Sequence, residues 1–183
     1  GAMETMKNDM AGCAAMLGVF FALARLKPNM EVHGISAVCE NMPSGRAQKP
    51  GDIVRTMSGK TIEVLNTDAE GRLTLADALT YAVQKVKPDA IVDLATLTGA
   101  CIVALGEEVA AYMGNDRALL ERVKAAAEKS GERIWELPLV PEYKEVIKSQ
   151  VADFCNITPG KKGAGAITAG LLLAEFVWNT PWV

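Results

Sequence analysis

The fold turns on one stretch, Gly59-Lys60-Thr61-Ile62-Glu63-Val64-Leu65-Asn66-Thr67-Asp68-Ala69-Glu70-Gly71-Arg72-Leu73. Thr61 to Leu65 alternates outward and inward positions as a strand does, and Leu73, Ala76, Leu79, Ala82 and Val83 then recur at helical spacing. A strand therefore passes through a polar connection into a helix. Within that connection Asp68 and Glu70 stand two residues apart. On extended backbone their carboxylates would face one side, with Cα atoms roughly 6 to 7 Å apart, within reach of one metal ion or a close pair. Strand carboxyl ends in open α/β sheets are where ligands bind, and Arg72 adds a cation there. A second reading is that Asp68 or Glu70 caps the positive end of the following helix. Gly71, costly early in a helix, points to a backbone that bends or comes close to something. Spacing alone leaves both readings open.

Outward from this stretch the chain alternates strand and helix patterns. Met10 to Leu26 lacks proline, is rich in alanine, leucine and methionine and stops before Pro28, which predicts a central helix covered nearly all round. Val32 to Val38 and Ala90 to Ala95 read as buried strands, and Ala110 to Met113 as a short one. Asp116 to Ser130 reads as an amphipathic surface helix ended by Gly131, and Gly163 to Trp178 as a second buried helix. Asn41 to Gly51 is a long loop rich in proline and glycine, of the kind that often serves a site. This alternation predicts an α/β domain with a largely parallel sheet covered on both faces. No repeat or linker divides the chain, and its end at Thr180-Pro181-Trp182-Val183, close behind an apolar helix, reads as a cut.

Composition narrows the function. With 183 residues, 50% apolar and 22% charged, the chain is a globular domain with ample core rather than a disordered one. A formal charge of -3 and no block of five like charges make nucleic acid an unfavoured partner. The stretch Met10 to Ala24 is shorter than the roughly 20 residues a membrane span needs, so no membrane is expected. Cys13, Cys39, Cys101 and Cys155 form no CxxC pair, which suits a reducing cytoplasm. His33 is the one histidine, so metal or acid-base chemistry must rest on carboxylates. Asp9, just before the apolar helix, is a further carboxylate with a capping alternative. Lys7, Lys60, Lys161 and Lys162 read as solvated, and the glycine-lysine run at 160–165 lacks the phosphate-loop pattern.

Asn66 to Leu73, with Gly59 to Leu65 before it, resembles the signature of the cytosolic leucyl aminopeptidase family. Similar matches are Met6-Lys7-Asn8-Asp9-Met10 with Gly12 and Ala14, Glu40 to Gly45, Asp93 to Ala100 and Ala164 to Ala169. The resemblance implies a three-layer α/β/α catalytic domain around a mixed sheet, with two divalent metals, zinc, manganese or magnesium. It implies metal ligation by Asp9, Asp68 and Glu70, the last bridging both ions, and a bicarbonate held by Arg72 as the catalytic residue. Thr96, Leu97 and Gly99 would line the substrate, with Met6 and Ala166 in the pocket for its first side chain. The implied reaction is release of N-terminal residues, leucine preferred, from peptides with a free N-terminus, in a cytoplasmic hexamer. The family also has a lysine and an aspartate ligand and an electrophilic lysine upstream of Met6, in a glycine-rich segment that this chain does not hold. Residues 1–183 are accordingly expected to be a C-terminal catalytic domain truncated at both ends and inactive alone. The alternative is a non-catalytic oligomer scaffold or a DNA-binding regulatory relative.

Overall fold

A computed structural model describes residues 3–160 and 163–183, so Lys161 and Lys162 lie outside the described residues. The stretch from Gly59 to Leu73 supplies β2 (Thr61–Glu63) and the start of α2 (Gly71–Tyr81), a helix continued by a π-helical turn, Ala82–Val86. β1 (Ile53–Arg55) pairs antiparallel with β2 across a tight turn at Gly59 (φ 91°), a backbone angle glycine adopts without strain. β5 (Phe154–Cys155) pairs parallel on the other side, giving the order β1-β2-β5. A second, two-stranded parallel sheet joins β3 (Ala110–Tyr112) to β4 (Ile134–Glu136). Its crossover is α4 (Arg117–Ser130), since parallel neighbours need a connection long enough to return over the sheet. Both ends of α4 follow the local sequence. The Asp116 carboxylate accepts the Leu119 N–H at 2.7 Å, and Gly131 closes the helix at φ 81°. The fold is thus α/β with mixed pairing, as expected.

The core gathers on α5 (Gly165–Ala174), which carries the buried Leu171, Leu172 and Leu173 and leads into Phe176 and Val177. These pack with Ile62 of β2, Ala76 and Leu79 of α2, Ile147 and Trp182. Each large apolar side chain buried there contributes about 1.5–3 kcal/mol. The buried helix predicted over 163–178 is therefore present, shortened at both ends. Trp182 is held at its backbone: its N–H donates to Asn115 Oδ1 at 2.8 Å and its carbonyl accepts from Asn115 N at 3.1 Å. A parallel bridge sets Trp182 beside Ile91.

Five expectations need correction. α1 (Ala11–Leu26) forms, but it is not covered: none of its residues is buried, and Leu17, Val19, Phe21 and Leu26 face solvent. A Cβ on Gly12 would lie 2.2 Å from the Leu94 carbonyl oxygen, so α1 abuts that segment, while Gly34 lies against Met16 and Phe20. A 3-10 helix, Met3–Met10, runs directly into α1, so the helical run reaches 24 residues instead of the shorter stretch read from sequence. By length and composition alone that run could cross a membrane, a test that core helices also pass.

Val32 to Val38 is no strand, and of Ala90 to Ala95 only Ile91 makes a bridge. β-branched residues favour extended backbone, but a strand exists only where a neighbouring chain takes its N–H and C=O groups, and no such neighbour flanks 32–38 among the described residues. Lys60 is not solvated either. Its ammonium donates to the Glu175 carbonyl (2.8 Å) and carboxylate (3.1 Å) and sits 5.5 Å from the ring centres of Phe154 and Phe176.

Candidate active site

The site begins where β2 ends. Asp68 and Glu70 are not on extended backbone, as the spacing argument required. Asn66 Oδ1 accepts the Asp68 N–H at 3.0 Å, which closes a turn, and Glu70 already has helical angles (φ -79°, ψ -32°) at the threshold of α2. The polar run Asn66-Thr67-Asp68 favours its own turn over continuation of the strand. The capping reading fails as well for Glu70, whose side chain makes no cap hydrogen bond. Among the described residues the carboxylates of Asp9, Asp68 and Glu70 enter no hydrogen bond or ion pair.

Arg72 occupies the first turn of α2 and is 7% exposed. It donates from one terminal nitrogen to the Asn156 carbonyl at 2.7 Å and from the other to the Leu97 carbonyl at 3.0 Å. Its Nε–H is buried without a partner among the described residues. Burial holds the guanidinium below the usual arginine range, and the Glu70 carboxylate opposes that shift. Leu97 belongs to a chain of contacts that reaches the amino-terminal segment, because the neighbouring Thr96 hydroxyl donates to the Asp9 carbonyl at 2.7 Å. The long loop reaches the same place, with Asn41 Nδ2 donating to the Thr67 carbonyl at 3.1 Å. Backbone and buried cation thus tie Asp9, Thr96, Leu97, Arg72 and the turn at 66–70 into one network.

The remaining expected residues lie around it. Met6 is exposed on the 3-10 helix, Gly99 immediately precedes α3 (Ala100–Leu105), and Ala166 is buried in the first turn of α5. α3 and α5 meet at their starts, where a Cβ on Gly165 would lie 3.1 Å from the Ala100 Cβ. Between them opens a cleft of about 310 Å³ bordered by Arg72, Thr98, Ala100, Thr158 and Thr168. Sequence reasoning missed Asn156 altogether. It is fully buried, and nothing in Phe154-Cys155-Asn156 marks its role, which depends on partners some 90 positions earlier.

The donor set suits a hard divalent cation in kind, being three carboxylates that make no hydrogen bond or ion pair among the described residues, although Glu70 acts on Arg72 through its charge. It does not close into a site: among the described residues no three His, Cys, Asp or Glu side chains gather closely enough to hold a metal ion. The reason is topological. Asp9 comes from the amino-terminal 3-10 helix and Asp68 and Glu70 from the β2–α2 turn, and the link between these pieces runs through backbone carbonyls and Thr96 rather than through the carboxylates.

Comparison with known proteins follows the same pattern. The profile of the cytosol aminopeptidase family, catalytic domain, matches residues 1–183. A probable cytosol aminopeptidase of Alkaliphilus oremlandii is 57% identical over 181 residues, covering 99% of this chain and 36% of that protein. One from Hydrogenovibrio crunogenus is 54% identical over 181 residues, again 99% of this chain and 36% of its own length. Among solved structures, a mutant of tomato leucine aminopeptidase superposes with a TM-score of 0.92 at 52% identity, covering 98% of this chain and 35% of that one. The chain therefore spans about 36% of the length of the curated relatives it matches.

Proposed function

This chain belongs to the cytosol aminopeptidase family, and from that premise we propose that the protein carrying it is a cytoplasmic aminopeptidase. It releases amino-terminal residues, leucine foremost, from peptides with a free N-terminus. Residues 1–183 are the larger part of its C-terminal catalytic domain, and the whole protein works as a hexamer with two divalent metals, zinc, manganese or magnesium. The observation that carries the reading is the set of three carboxylates, Asp9, Asp68 and Glu70, left without hydrogen bonds among the described residues beside one continuous network. Side chains so placed are held ready for a ligand, because a carboxylate with a protein partner must give it up first.

Bound there, divalent cations would supply Lewis-acid polarisation of the scissile carbonyl and of water. The chain's own residues do the rest. Arg72, anchored through two carbonyls, offers its unpartnered Nε–H to an anion such as bicarbonate. Thr96, Leu97 and Gly99 present backbone along the substrate, while Met6 and Ala166 shape the space for its first side chain. Among the described residues no three such side chains gather into a closed site, and this reading assigns the additional ligands to the rest of the protein.

Glu70→Gln in the full-length protein tests this. Because Glu70 caps nothing, folding stability should change by no more than about 0.5 kcal/mol, while metal content falls and leucine p-nitroanilide hydrolysis drops more than ~100-fold. A variant that keeps both its metal and its turnover would remove Glu70 from the site. A wild type that neither binds divalent cations nor cleaves the substrate would favour the non-catalytic scaffold or regulatory alternative.

A further inference from the structure

Asn156 is fully buried at the end of β5, and parallel pairing of β5 with β2 sets it beside the carboxyl end of β2. Its backbone N–H donates to the Glu63 carbonyl at 2.9 Å, which continues the ladder by one bond. From this position its side chain reaches into the turn that carries Asp68 and Glu70. Oδ1 accepts from Leu65 N (2.8 Å) and Asn66 N (3.3 Å). Nδ2 donates to the carbonyls of Asn66 (2.6 Å) and Ala69 (3.2 Å). All four hydrogen-bonding positions of the amide are used, and all on one turn. The Asn156 carbonyl, in addition, takes the short bond from Arg72.

We propose that Asn156 is the positioning residue of the candidate site, its amide fixing the shape of the 65–70 turn that carries Asp68 and Glu70 and its carbonyl setting Arg72 beside that turn. The inference rests on the aminopeptidase reading. Its physical content is that among the described residues these two carboxylates have no hydrogen bonds of their own to aim them, so their direction comes from the backbone beneath, which Asn156 holds by four bonds where Asn41 and Asn66 add one each. Only an amide can make this clasp, since Asn and Gln alone offer two acceptor and two donor positions in one plane, and Gln would be a methylene too long for a fully buried place.

The test uses the full-length protein with Mn²⁺ as the probe, comparing wild type, Asn156→Ala, Asn156→Ser and Thr80→Val. Thr80 is an equally buried polar residue whose hydroxyl donates to Ala76 within α2, so its variant reports loss of buried packing and hydrogen bonding alone. Mn²⁺ affinity by titration calorimetry, thermal midpoint, and kcat and KM at saturating Mn²⁺ are measured for each. Loss of a group that orients metal ligands lowers metal affinity about 10–100-fold, and this is expected for both Asn156 variants, with kcat reduced and KM little changed because Asn156 is fully buried and does not border the cleft. Thr80→Val should lose stability and keep its Mn²⁺ affinity. Asn156 variants that lose stability but bind Mn²⁺ as wild type does would overturn the proposal. Failure of both to fold, with Thr80→Val folded, would assign Asn156 to the core and overturn it equally. A wild type that neither binds Mn²⁺ nor cleaves leucine p-nitroanilide would remove the underlying reading, whereas normal wild-type behaviour with indifferent Asn156 variants removes this inference only.

Discussion

Replacing Arg72 with methionine should destabilise the catalytic domain far more than loss of an exposed arginine would. Methionine fills much of the same space, so the loss is chiefly of two hydrogen bonds from a charged donor, each worth ~1.5–3 kcal/mol. The two do not count equally. The Leu97 carbonyl is half-buried, and water can replace the guanidinium there at small cost. Asn156 is fully buried, so its carbonyl loses its guanidinium partner where water has little access. Relief of the guanidinium's own burial offsets part of the sum. A net loss of about 3 kcal/mol results, which for a domain of this size lowers the thermal midpoint by roughly 6–12 °C. Arg72→Lys keeps the charge but has a single ammonium, unable to reach both carbonyls, and should recover less than half of that. Differential scanning of the full-length variants measures both shifts. An Arg72→Met midpoint within about 2 °C of wild type would refute the claim that these two bonds hold the β5 end and the 97 segment together. If Arg72 also holds an anion during turnover, hydrolysis of leucine p-nitroanilide should fall much further than metal content does.

Burial and exposure carry the remaining predictions. The Asp93 carboxyl is pushed up to about 6 by desolvation, with the Trp182 indole drawing it the other way, against an ordinary value of 3.8. The folded state then binds the extra proton between these values, so Asp93 makes stability fall as pH rises through that window and costs at most about 3 kcal/mol above it. Asp93→Asn should remove the cost. Its thermal midpoint relative to wild type should climb from pH 4 to 7, and parallel profiles would contradict the assignment. For the isolated 183-residue chain, the uncovered face of α1 predicts dye binding by exposed apolar surface and self-association, both reduced by Phe21→Glu with Leu17→Glu. Light scattering that shows a 19.5 kDa monomer without dye binding would count against this, and leucine p-nitroanilide turnover by that chain above background would show the site to be complete within it.

Local sequence determined whatever depends on neighbours within a few residues. The helix from Gly71, the α4 boundaries at Asp116 and Gly131, the apolar run of α5 and the strand at Thr61 were all legible, because periodicity and cap chemistry act over one or two turns. The family signature around Asn66 to Leu73 was legible for the same reason. Tertiary structure alone decided the rest. Among the described residues Val32 to Val38 has strand composition and no strand partner, and α1 has core composition and no cover, since pairing and burial are properties of what lies opposite rather than of the segment. Lys60 looked solvated until Glu175 and two aromatic rings came to it from beyond position 150. Glu70 belonged to an extended pair on spacing and to a helix start in space, because the Asn66 side chain turns the backbone before the strand can continue. Asn156 was invisible for the deepest reason: its four partners lie 87 to 91 positions away, and a side chain that satisfies a distant backbone leaves no periodicity in the sequence around it.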